Sequence, residues 1–417
     1  MKKGLLLLGL LTSAQLFAQS YLHQVLIVNE GYFDYQTNQI ITPVTIGAYN
    51  PSTTQYTVVD TLENMRFASD LIIDGDFYYV AADSKIFKFN KDTHQEVAAV
   101  NCPGVRNLAI SNNQLIATRG EYLQTFDSYL HIYDKNNLSL TLALDTIAGP
   151  KWASQNLVIS GNTAYIAVNN AYEWGNEKGL IGQLDLNTLQ YGNEIDLGPE
   201  GKNPDNMFLF NNELITVNNK DWSGASVSKI SLNGNVNTQS LANAVTGCGT
   251  SALRDDKLVY QISLENTLND YNLLSMAYEG PVNGINNNFY ELAQDPISGN
   301  LYASSTDFFS TGTISIFSPN NTELNQFSAG VSPGTIGFDV RSSANVTELN
   351  NQVSVYPNPC TDQIHINGLA SNANFILTDA AGTTILSGAS TTVSLANFAT
   401  GIYFLNVNGS LTKIVKQ

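Results

Sequence analysis

Aromatic, basic and acidic side chains concentrate in the predicted loops of this chain, and these residue types bind ligands. Aromatic rings supply apolar stacking surface, while arginine and acid groups orient a ligand through hydrogen bonds. Any one of these side chains could instead pack against a neighbouring loop, so the prediction depends on the set, in which Trp174 and Trp222 are the strongest members. The candidate ligand-binding residues are Tyr32, Tyr35, Arg66, Arg119, Tyr122, Trp152, Tyr172, Trp174, Asp205, Trp222 and Phe308.

The sequence gives little support for catalysis. The histidines form no metal-ligand set, and the glycines form no phosphate loop. The loop acids Glu121, Glu173, Asp205 and Asp221 could meet as a paired-carboxylate or calcium site, or they could form a solvated rim. We therefore predict no catalytic residue and no resident cofactor, with calcium as the one cation to test.

The composition indicates a folded, acidic protein. Of 417 residues, 43% are hydrophobic and 13% are charged, and the formal net charge is −17. This hydrophobic content supports a packed core. The acidic charge disfavours nucleic-acid binding, because it repels phosphate backbones. Cys102, Cys248 and Cys360 include no C-x-x-C pair, and their pairing stays open.

The first 19 residues have the features of an export signal. Lys2 and Lys3 precede the apolar stretch Gly4–Leu11, which is shorter than the roughly 20 residues that a membrane-spanning helix needs. No second long apolar run follows. We therefore predict a signal peptide over residues 1–19 and no transmembrane segment in the mature chain.

A repeat of about 40 to 50 residues extends along most of the chain, and this period is typical of β-propeller blades. Each repeat begins with an inner strand and continues through an Asn-, Gly- or Asp-rich turn into further strands. The predicted inner strands are Ser69–Ile73, Asn107–Ile110, Gln155–Ile159, Asp205–Phe210, Thr250–Leu253, Phe289–Ala293 and Thr335–Val340.

The first repeat lacks an inner strand, because Gln24–Asn29 corresponds to the second strand of the others. Thr335–Val340 can supply the missing strand. The prediction is an all-β chain: a seven-bladed β-propeller closed by pairing of its N- and C-terminal strands, followed by a small C-terminal β-sandwich. The sixth repeat shows no outer strand after Leu258–Ser263 and Asn272–Ala277, so rings of six or eight blades stay open. A two-sheet sandwich explains neither the period nor the incomplete first repeat.

The strand order places two sets of loops on one face: those before inner strands and those between second and third strands. The candidate binding residues fall in these loops. After Arg341 the composition changes, and we predict a propeller over residues 20–341, a polar linker over 342–351 and a separate all-β domain over 352–417.

Three segments of the last domain carry a resemblance to a known family. They are Val355-Tyr356-Pro357-Asn358-Pro359, Gly401-Ile402-Tyr403-Phe404 and Lys413-Ile414-Val415-Lys416-Gln417. The domain resembles the type A sorting domain of the type IX secretion system of the Bacteroidota. The resemblance implies type IX secretion machinery as a partner and an extracellular or outer-membrane location, with attachment or release left open. The residues of the signal are Tyr356, Pro357, Asn358, Pro359, Gly401, Tyr403, Lys413 and Lys416.

The propeller region opens with Val28-Asn29-Glu30-Gly31. Together with the blade pattern, this segment resembles the YncE-like propellers of surface proteins in the same phylum, some of which bind ligands such as cobalamin. The resemblance implies ligand binding, but no cobalamin-specific residue set matches.

We therefore expect an exported cell-surface or secreted propeller that captures a small molecule, glycan or peptide on its loop-rich face. A corrinoid is one such molecule. Two alternatives stay open: a propeller lyase or hydrolase that uses carboxylates at the central channel, and a purely structural adhesion protein. The sequence identifies neither the ligand nor the oligomeric state.

Overall fold

The computed structural model describes residues 19–220, 223–241, 244–247, 250–343, 354–367, 374–407 and 410–417. The chain divides into two compact units, one over Ser20–Ser343 and one that includes Ala344–Gln417. Residues 1–18 of the predicted signal peptide and residues 344–351 of the predicted linker lie outside the described residues.

The first unit is built from β-strands, with one short 3-10 helix over Pro199–Gly201. Its strands are β1 Gln19–Asn29, β2 Tyr32–Asp34, β3 Gln39–Thr42, β4 Val44–Asn50, β5 Gln55–Leu62, β6 Ala68–Asp74, β7 Phe77–Ala82, β8 Lys85–Asn90, β9 Glu96–Asn101, β10 Val105–Ser111, β11 Gln114–Arg119, β12 Ser128–Asp134, β13 Leu140–Asp145, β14 Ser154–Ser160, β15 Thr163–Val168, β16 Leu180–Asp185, β17 Ile195–Asp196, β18 Pro204–Phe210, β19 Glu213–Asn218, β20 Ala225–Ser231, β21 Val236–Leu241, β22 Ser251–Arg254, β23 Lys257–Gln261, β24 Leu268–Asn272, β25 Ala277–Pro281, β26 Glu291–Gln294, β27 Leu301–Ser305, β28 Thr311–Phe317, β29 Glu323–Val331 and β30 Pro333–Ser343.

These strands form a series of four-stranded antiparallel sheets. Sheet 1 has the order β30-β1-β4-β5, and sheets 2 to 7 follow in chain order from β6-β7-β8-β9 to β26-β27-β28-β29. A two-stranded sheet, β2-β3, lies in the segment between β1 and β4. The described part of this unit is thus all-β apart from the 3-10 helix, and its repeated sheets are consistent with a propeller.

Alternation along the second strands explains how the sheets are buried on both faces. In β7, Tyr78 and Val80 join the core shared with sheet 1, whereas Tyr79 and Ala81 join the core shared with sheet 3. Successive side chains of a strand point to opposite faces, so one apolar strand contributes to two cores. Each large apolar side chain that is buried in this way contributes about 1.5–3 kcal/mol to stability.

A core of the same kind joins sheet 7 to sheet 1. Val25 and Ile27 of β1 pack with Tyr302 and Ile314 of sheet 7, whereas Leu26 and Val28 face sheet 2. The main-chain nitrogen of Glu30 donates to Ser332 O (2.8 Å), just before β30 begins. The first and last strands of the unit therefore lie in one sheet, which packs on both neighbours.

The sixth sheet corrects one detail of the sequence prediction. Asn272–Ala277, which the sequence suggested as a strand, is mostly a turn between β24 and β25. The Asn272 side chain caps this turn by accepting a hydrogen bond from Leu274 N (2.9 Å). The outer strand that the sequence did not show is β25, so this sheet is four-stranded like the others.

The second unit consists of two small sheets. Its strands are β31 Ser354–Tyr356, β32 Gln363–Asn367, β33 Phe375–Thr378, β34 Thr384–Gly388, β35 Thr392–Ser394, β36 Gly401–Val407 and β37 Ser410–Lys416. The sheets have the orders β31-β32-β35 and β34-β33-β36-β37. Ile364 and Val393 of the first sheet share one buried core with Leu377 and Leu405 of the second. This arrangement is a small β-sandwich.

Asn29 connects three segments at the junction of sheets 1 and 7. Its buried amide nitrogen donates to Tyr56 Oη (2.8 Å) and Thr45 Oγ1 (3.0 Å), and its carbonyl oxygen accepts from Gly330 N (2.9 Å). A Cβ atom at residue 330 would lie 2.6 Å from Asn29 Cγ, so the contact requires glycine.

Asn29→Ala is therefore expected to lower the free energy of unfolding by about 2–4 kcal/mol, because it leaves buried donors and acceptors unpaired. Urea denaturation of the purified protein measures this loss. The matched control is Asn136→Ala in an exposed turn, which should change stability by less than about 0.5 kcal/mol. Equal effects of the two substitutions would contradict the role assigned to Asn29.

Candidate functional site

Two adjoining cavities lie in the first unit. The first, of about 660 Å³, is the aromatic cavity, and its walls include Tyr122, Phe126, Trp152, Tyr172 and Trp174. The second, of about 510 Å³, is the polar cavity, and its walls include Glu30, Asp70, Arg106, Asp205, Tyr290 and Glu291. Tyr122, Tyr172 and Trp174 line both, so the two cavities meet at these rings.

The first strands of successive sheets build the polar cavity. Asp70 of β6, Asn107 of β10, Asn156 of β14 and Asn206 of β18 hold equivalent positions near the start of each strand. The pairing between first and second strands shifts register at this point in all four sheets. Such irregularities change the direction in which a side chain leaves the strand. The repeat therefore brings one polar side chain per sheet to a common space.

Loops between second and third strands build the aromatic cavity. The loop from β11 to β12 supplies Tyr122 and Phe126, and the loop from β15 to β16 supplies Tyr172 and Trp174. Trp174 is 71% exposed and Tyr122 is 56% exposed. Large rings that stay this open beside a cavity offer stacking surface to a ligand.

Arg106 and Tyr172 form the boundary between the cavities. The guanidinium of Arg106 lies 4.4 Å from the centre of the Tyr172 ring, and its Nε donates to Gly120 O (2.5 Å). The hydroxyl of Tyr172 donates to Gln155 Oε1 (3.0 Å). A cation placed over a ring is attracted to its face. These contacts hold the Tyr172 ring in a fixed orientation between the two cavities.

The carboxyl groups of the polar cavity have raised pKa values. Burial raises the pKa of Glu30 to about 7, that of Asp70 to about 6 and that of Asp205 to about 7. Burial, and then repulsion from Glu30 and Asp70, raises the pKa of Glu291 to about 8. Desolvation disfavours the charged form of an acid. Perturbed acids in a cavity are a feature of functional sites.

Several predicted binding residues come together at these cavities. Tyr122, Trp152, Tyr172 and Trp174 line the aromatic cavity, and Asp205 lines the polar cavity. Arg66 lies next to them: it forms ion pairs with Asp83 (2.6 Å) and with Glu121 (3.3 Å) of the aromatic cavity.

Other predicted residues lie elsewhere. Arg119 is buried and donates to Ser128 O (2.6 Å) and Pro103 O (2.9 Å), so its guanidinium holds loops together and lines neither cavity. Tyr32 packs edge-on against Phe309, and Tyr35 does so against Phe33. These two tyrosines also line neither cavity.

Phe308 contacts the site indirectly, because its ring lies 5.1 Å from that of Tyr290, a wall of the polar cavity. Trp222, one of the two strongest candidates in the sequence, lies outside the described residues, as does Asp221.

The predicted acid set does not meet at one point. Glu121 and Glu173 line the aromatic cavity, whereas Asp205 lines the polar one. Glu173 is exposed, and its pKa is lowered by hydrogen bonds, first from Asn170, as expected of a solvated rim. No group of three or more His, Cys, Asp or Glu side chains within the described ranges is placed to hold a metal ion.

Asp70, Glu291 and Tyr290 line the polar cavity but were not predicted as site residues. All three lie in or next to predicted inner strands, where an acid in an alternating pattern suggests a solvated face. The available signal was the repeat itself: Asp70 and Glu291 stand near the start of an inner strand, as Asn107, Asn156 and Asn206 do.

The second unit brings the segments of its predicted signal into contact. The Asn358 amide nitrogen donates to Lys413 O (2.6 Å), and its carbonyl oxygen accepts from Val415 N (2.9 Å). Cys360 N donates to Val415 O (2.9 Å). Tyr403 donates through its hydroxyl to Ala399 O (2.7 Å). The Tyr356–Pro359 segment is therefore attached to the last strand of the chain.

The two signal lysines differ in their surroundings. Lys416 is buried, and its Nζ donates to Phe398 O (2.6 Å), whereas Lys413 is exposed. Gly401 begins β36, and Tyr356 is exposed beside His365. Lys413 and Tyr356 are thus available to a partner, while Lys416 stabilises the fold.

The comparison with known families concerns the second unit. Residues 354–417 match the family described as the secretion system C-terminal sorting domain. This match confirms the type IX sorting domain that the sequence predicted, and it indicates export to the cell surface or secretion with participation of the secretion machinery. Across the described ranges, no helix combines the length and apolar character needed to cross a membrane. No curated protein sequence matches the chain.

Solved structures similar to this chain share its fold at low identity. Two structures of the extracellular domain of BT4673 from B. thetaiotaomicron, described as a one component and as a hybrid two component system, have TM-scores of 0.50 and 0.51 at 11% and 12% identity. Both alignments cover 94% of this chain and 57% of that one, so this chain spans just over half its length.

Dihydro-heme d1 dehydrogenase NirN in complex with DHE has a TM-score of 0.52 at 11% identity, covering 75% of this chain and 74% of that one. At such identities the likeness concerns the fold alone. It supports an all-β, propeller-like fold.

The raised pKa of Glu291 predicts a pH-dependent effect of Glu291→Gln on stability. Between about pH 5 and pH 8 the folded protein retains a proton on Glu291 that the unfolded chain has released. Because the unfolded chain binds fewer protons, the contribution of Glu291 to the free energy of unfolding of the wild type falls as pH rises. Glutamine cannot ionise. The variant should therefore gain stability over the wild type as pH rises from 5 to 8.

Urea denaturation at several pH values measures this difference between the two proteins. Both proteins contain the partly buried His131, whose pKa burial lowers to about 4, so its opposite contribution to the pH dependence cancels in the difference. Glu96→Gln, on an exposed outer strand, is the control and should follow the wild type at every pH. A Glu291→Gln difference that is constant with pH would contradict the assignment.

Asn358→Ala is expected to loosen the attachment of the last strand in the sorting domain. It removes two hydrogen bonds to the main chain, each of which contributes about 0.5–1.5 kcal/mol. Faster limited proteolysis within residues 354–417 and a smaller secreted fraction should result. Asn397→Ala, in an exposed turn, serves as the control. Unchanged proteolysis and secretion in Asn358→Ala would show that the contact is dispensable.

Proposed function

We propose that the first unit is a seven-bladed β-propeller whose ring closes where β30 pairs with β1. Sheets 1 to 7 would be its blades, and the polar cavity would be the mouth of its central channel. The repeated four-stranded sheets and the core between sheets 7 and 1 support this arrangement. The first 19 residues would be removed on export, and residues 342–351 would link the propeller to the sorting domain.

The function proposed for this propeller is ligand capture at the cell surface or outside the cell. The observation that carries the proposal is the continuity of the two cavities through Tyr122, Tyr172 and Trp174. Together the cavities offer apolar rings on one side and hydrogen-bonding groups on the other. Sites of this size and composition take small molecules or short polymer segments.

The ligand classes proposed are a small molecule such as a corrinoid, a glycan or a peptide. Rings such as Trp152 and Trp174 suit each of these classes, because each class offers an apolar face to stack upon. The proposed relationship to YncE-like surface propellers favours the same role. Calcium is included in the experiment below as a possible co-ligand.

A second candidate function is catalysis by a lyase or hydrolase. Glu30, Asp205 and Glu291 have pKa values raised to about 7 or 8, and groups that titrate near neutral pH are suited to general acid–base steps. Activity on a polysaccharide panel that disappears in Asp205→Asn would favour this function over binding alone.

A thermal-shift screen of the mature protein tests the binding proposal. The panel contains corrinoids, haem, oligosaccharides and peptides, each with and without calcium. A ligand present at 100 times its Kd should stabilise the protein by about 2.7 kcal/mol. For a ligand found in this way, Trp174→Ala and Tyr122→Ala should each weaken binding by about tenfold or more, because each removes a stacking surface.

Leu264→Ala provides the matched control, because Leu264 is 94% exposed and lines neither cavity. It should leave the affinity unchanged. A ligand whose affinity survives both aromatic substitutions would place the binding site elsewhere. If no member of the panel shifts the melting temperature, a structural adhesion role would be favoured instead.

A further inference from the structure

We propose that the ligand is an organic cation, in which a planar aromatic group is joined to a protonated amine. The ring would occupy the aromatic cavity, and the ammonium group would occupy the polar cavity. This inference rests on the proposed function, since it treats the two cavities as one ligand site.

The first observation is the imbalance of charge in the polar cavity. Among the described residues that line it, four carry carboxyl groups and only Arg106 carries a permanent positive charge. The four are Glu30, Asp70, Asp205 and Glu291. Placing several ionised carboxyl groups close together where burial disfavours charge is unfavourable unless a cation accompanies them.

Arg106 is already engaged by other groups. Its Nε donates to Gly120 O (2.5 Å), and another of its guanidinium nitrogens lies 3.8 Å from Glu121, an acid of the aromatic cavity. The same guanidinium lies over the rings of Tyr172 and Phe67, at 4.4 and 5.1 Å. Arg106 also attracts Glu30 electrostatically, which lowers the pKa of that acid, but one positive charge at the boundary does not balance four carboxyl groups.

The second observation is the difference in how these acids are paired. Asp70 accepts from Leu108 N (2.7 Å), Asp205 from Asn219 Nδ2 (2.7 Å) and Glu30 from Tyr290 Oη (2.7 Å). Within the described part of the chain, the Glu291 carboxyl group has no hydrogen-bond partner, although it lines the cavity. An ammonium donor would supply the partner and the countercharge at once.

The third observation fixes the orientation of the ligand. Lys151 and Lys178 lie 5.1 and 4.6 Å from the centre of the Trp152 ring, at the aromatic cavity. These ammonium groups repel a ligand cation. The two acids of the aromatic cavity already have partners, because Glu121 pairs with Arg66 (3.3 Å) and Glu173 accepts from the Asn170 amide (2.9 Å), so that cavity favours the uncharged ring. The acids attract the amine to the other end, and the shared wall of Tyr122, Tyr172 and Trp174 makes the two ends continuous.

Three indoles with different side-chain charges test the inference on the mature protein by isothermal titration calorimetry at pH 8. Tryptamine carries an ammonium group, tryptophol a hydroxyl group and indole-3-propionate a carboxylate. We expect tryptamine to bind at least about tenfold more tightly than tryptophol, and indole-3-propionate to bind more weakly than both. Equal affinities, a preference for the anion, or no binding of tryptamine at millimolar concentration would overturn the inference.

Glu291→Gln separates charge from shape, because it keeps the size of the side chain. It should weaken tryptamine by about tenfold and leave tryptophol unchanged, whereas Trp174→Ala should weaken both. Glu96→Gln, on an exposed outer strand, is the control. If Glu291→Gln does not fold, Glu30→Gln replaces it with the same expectation. Tryptamine affinity that is insensitive to these carboxyl groups contradicts the inference.

The wild type also provides a test that needs no variant. The groups around the proposed ammonium site are Glu30, Asp70, Asp205 and Glu291, with Arg106, Tyr290 and Tyr172 beside them. Tryptamine should bind more weakly as pH falls from 8 to 6, because protonation removes the negative charge that attracts it. Binding that strengthens as pH falls would overturn the inference.

The outcomes distinguish this inference from the proposed function. Suppose that an oligosaccharide or corrinoid binds, and that its affinity falls in Trp174→Ala but not in Glu291→Gln. This result would support the proposed binding site and refute the inference that the ligand is a cation.

Discussion

The structure depends on how the polar groups of the first strands find hydrogen-bond partners. Because both faces of each sheet are covered, polar groups on a first strand need hydrogen-bond partners within the protein. Asp70 bonds Leu108 N of the next sheet (2.7 Å), and Asn206 bonds the Ser251 hydroxyl (3.2 Å). These contacts join adjacent sheets, and the same positions supply the walls of the polar cavity.

The chemistry of the site follows from that constraint. The Asp70 side chain, which connects two sheets, is surrounded by protein, and desolvation raises its pKa and that of Asp205. Rigid strands carry these acids, while longer loops carry the rings of Tyr122 and Trp174. A polar base carried by strands beside an aromatic wall carried by loops is the usual division between scaffold and recognition surface.

Much of the fold was predictable because the repeat and its turns are local signals. Predicted inner strands such as Gln155–Ile159 and Asp205–Phe210 lie within β14 and β18. The prediction failed at Asn272–Ala277, which was predicted as a strand, whereas the Asn272 side chain closes a turn there. Local propensity alone does not distinguish a capped turn from a strand continuation.

The candidate site was predictable only in part. Exposed rings such as Trp174 are conspicuous in loops, but the burial of Arg119 by carbonyl groups and the convergence of Asp70 with Glu291 depend on contacts between distant sheets. Such contacts leave no periodic signal within one strand. The sorting segments were recognisable by sequence, whereas the attachment of Asn358 to the last strand required the tertiary structure.

The central claim is that the two cavities form one ligand site, and fluorine NMR tests it most directly. The chain has three tryptophans, so 5-fluorotryptophan labelling gives one resonance for each, assigned with Trp→Phe variants. A ligand that stabilises the protein should shift the resonances of Trp152 and Trp174, and in Glu291→Gln a cationic ligand should shift them less at the same concentration. A stabilising ligand that leaves both resonances unmoved would contradict the account.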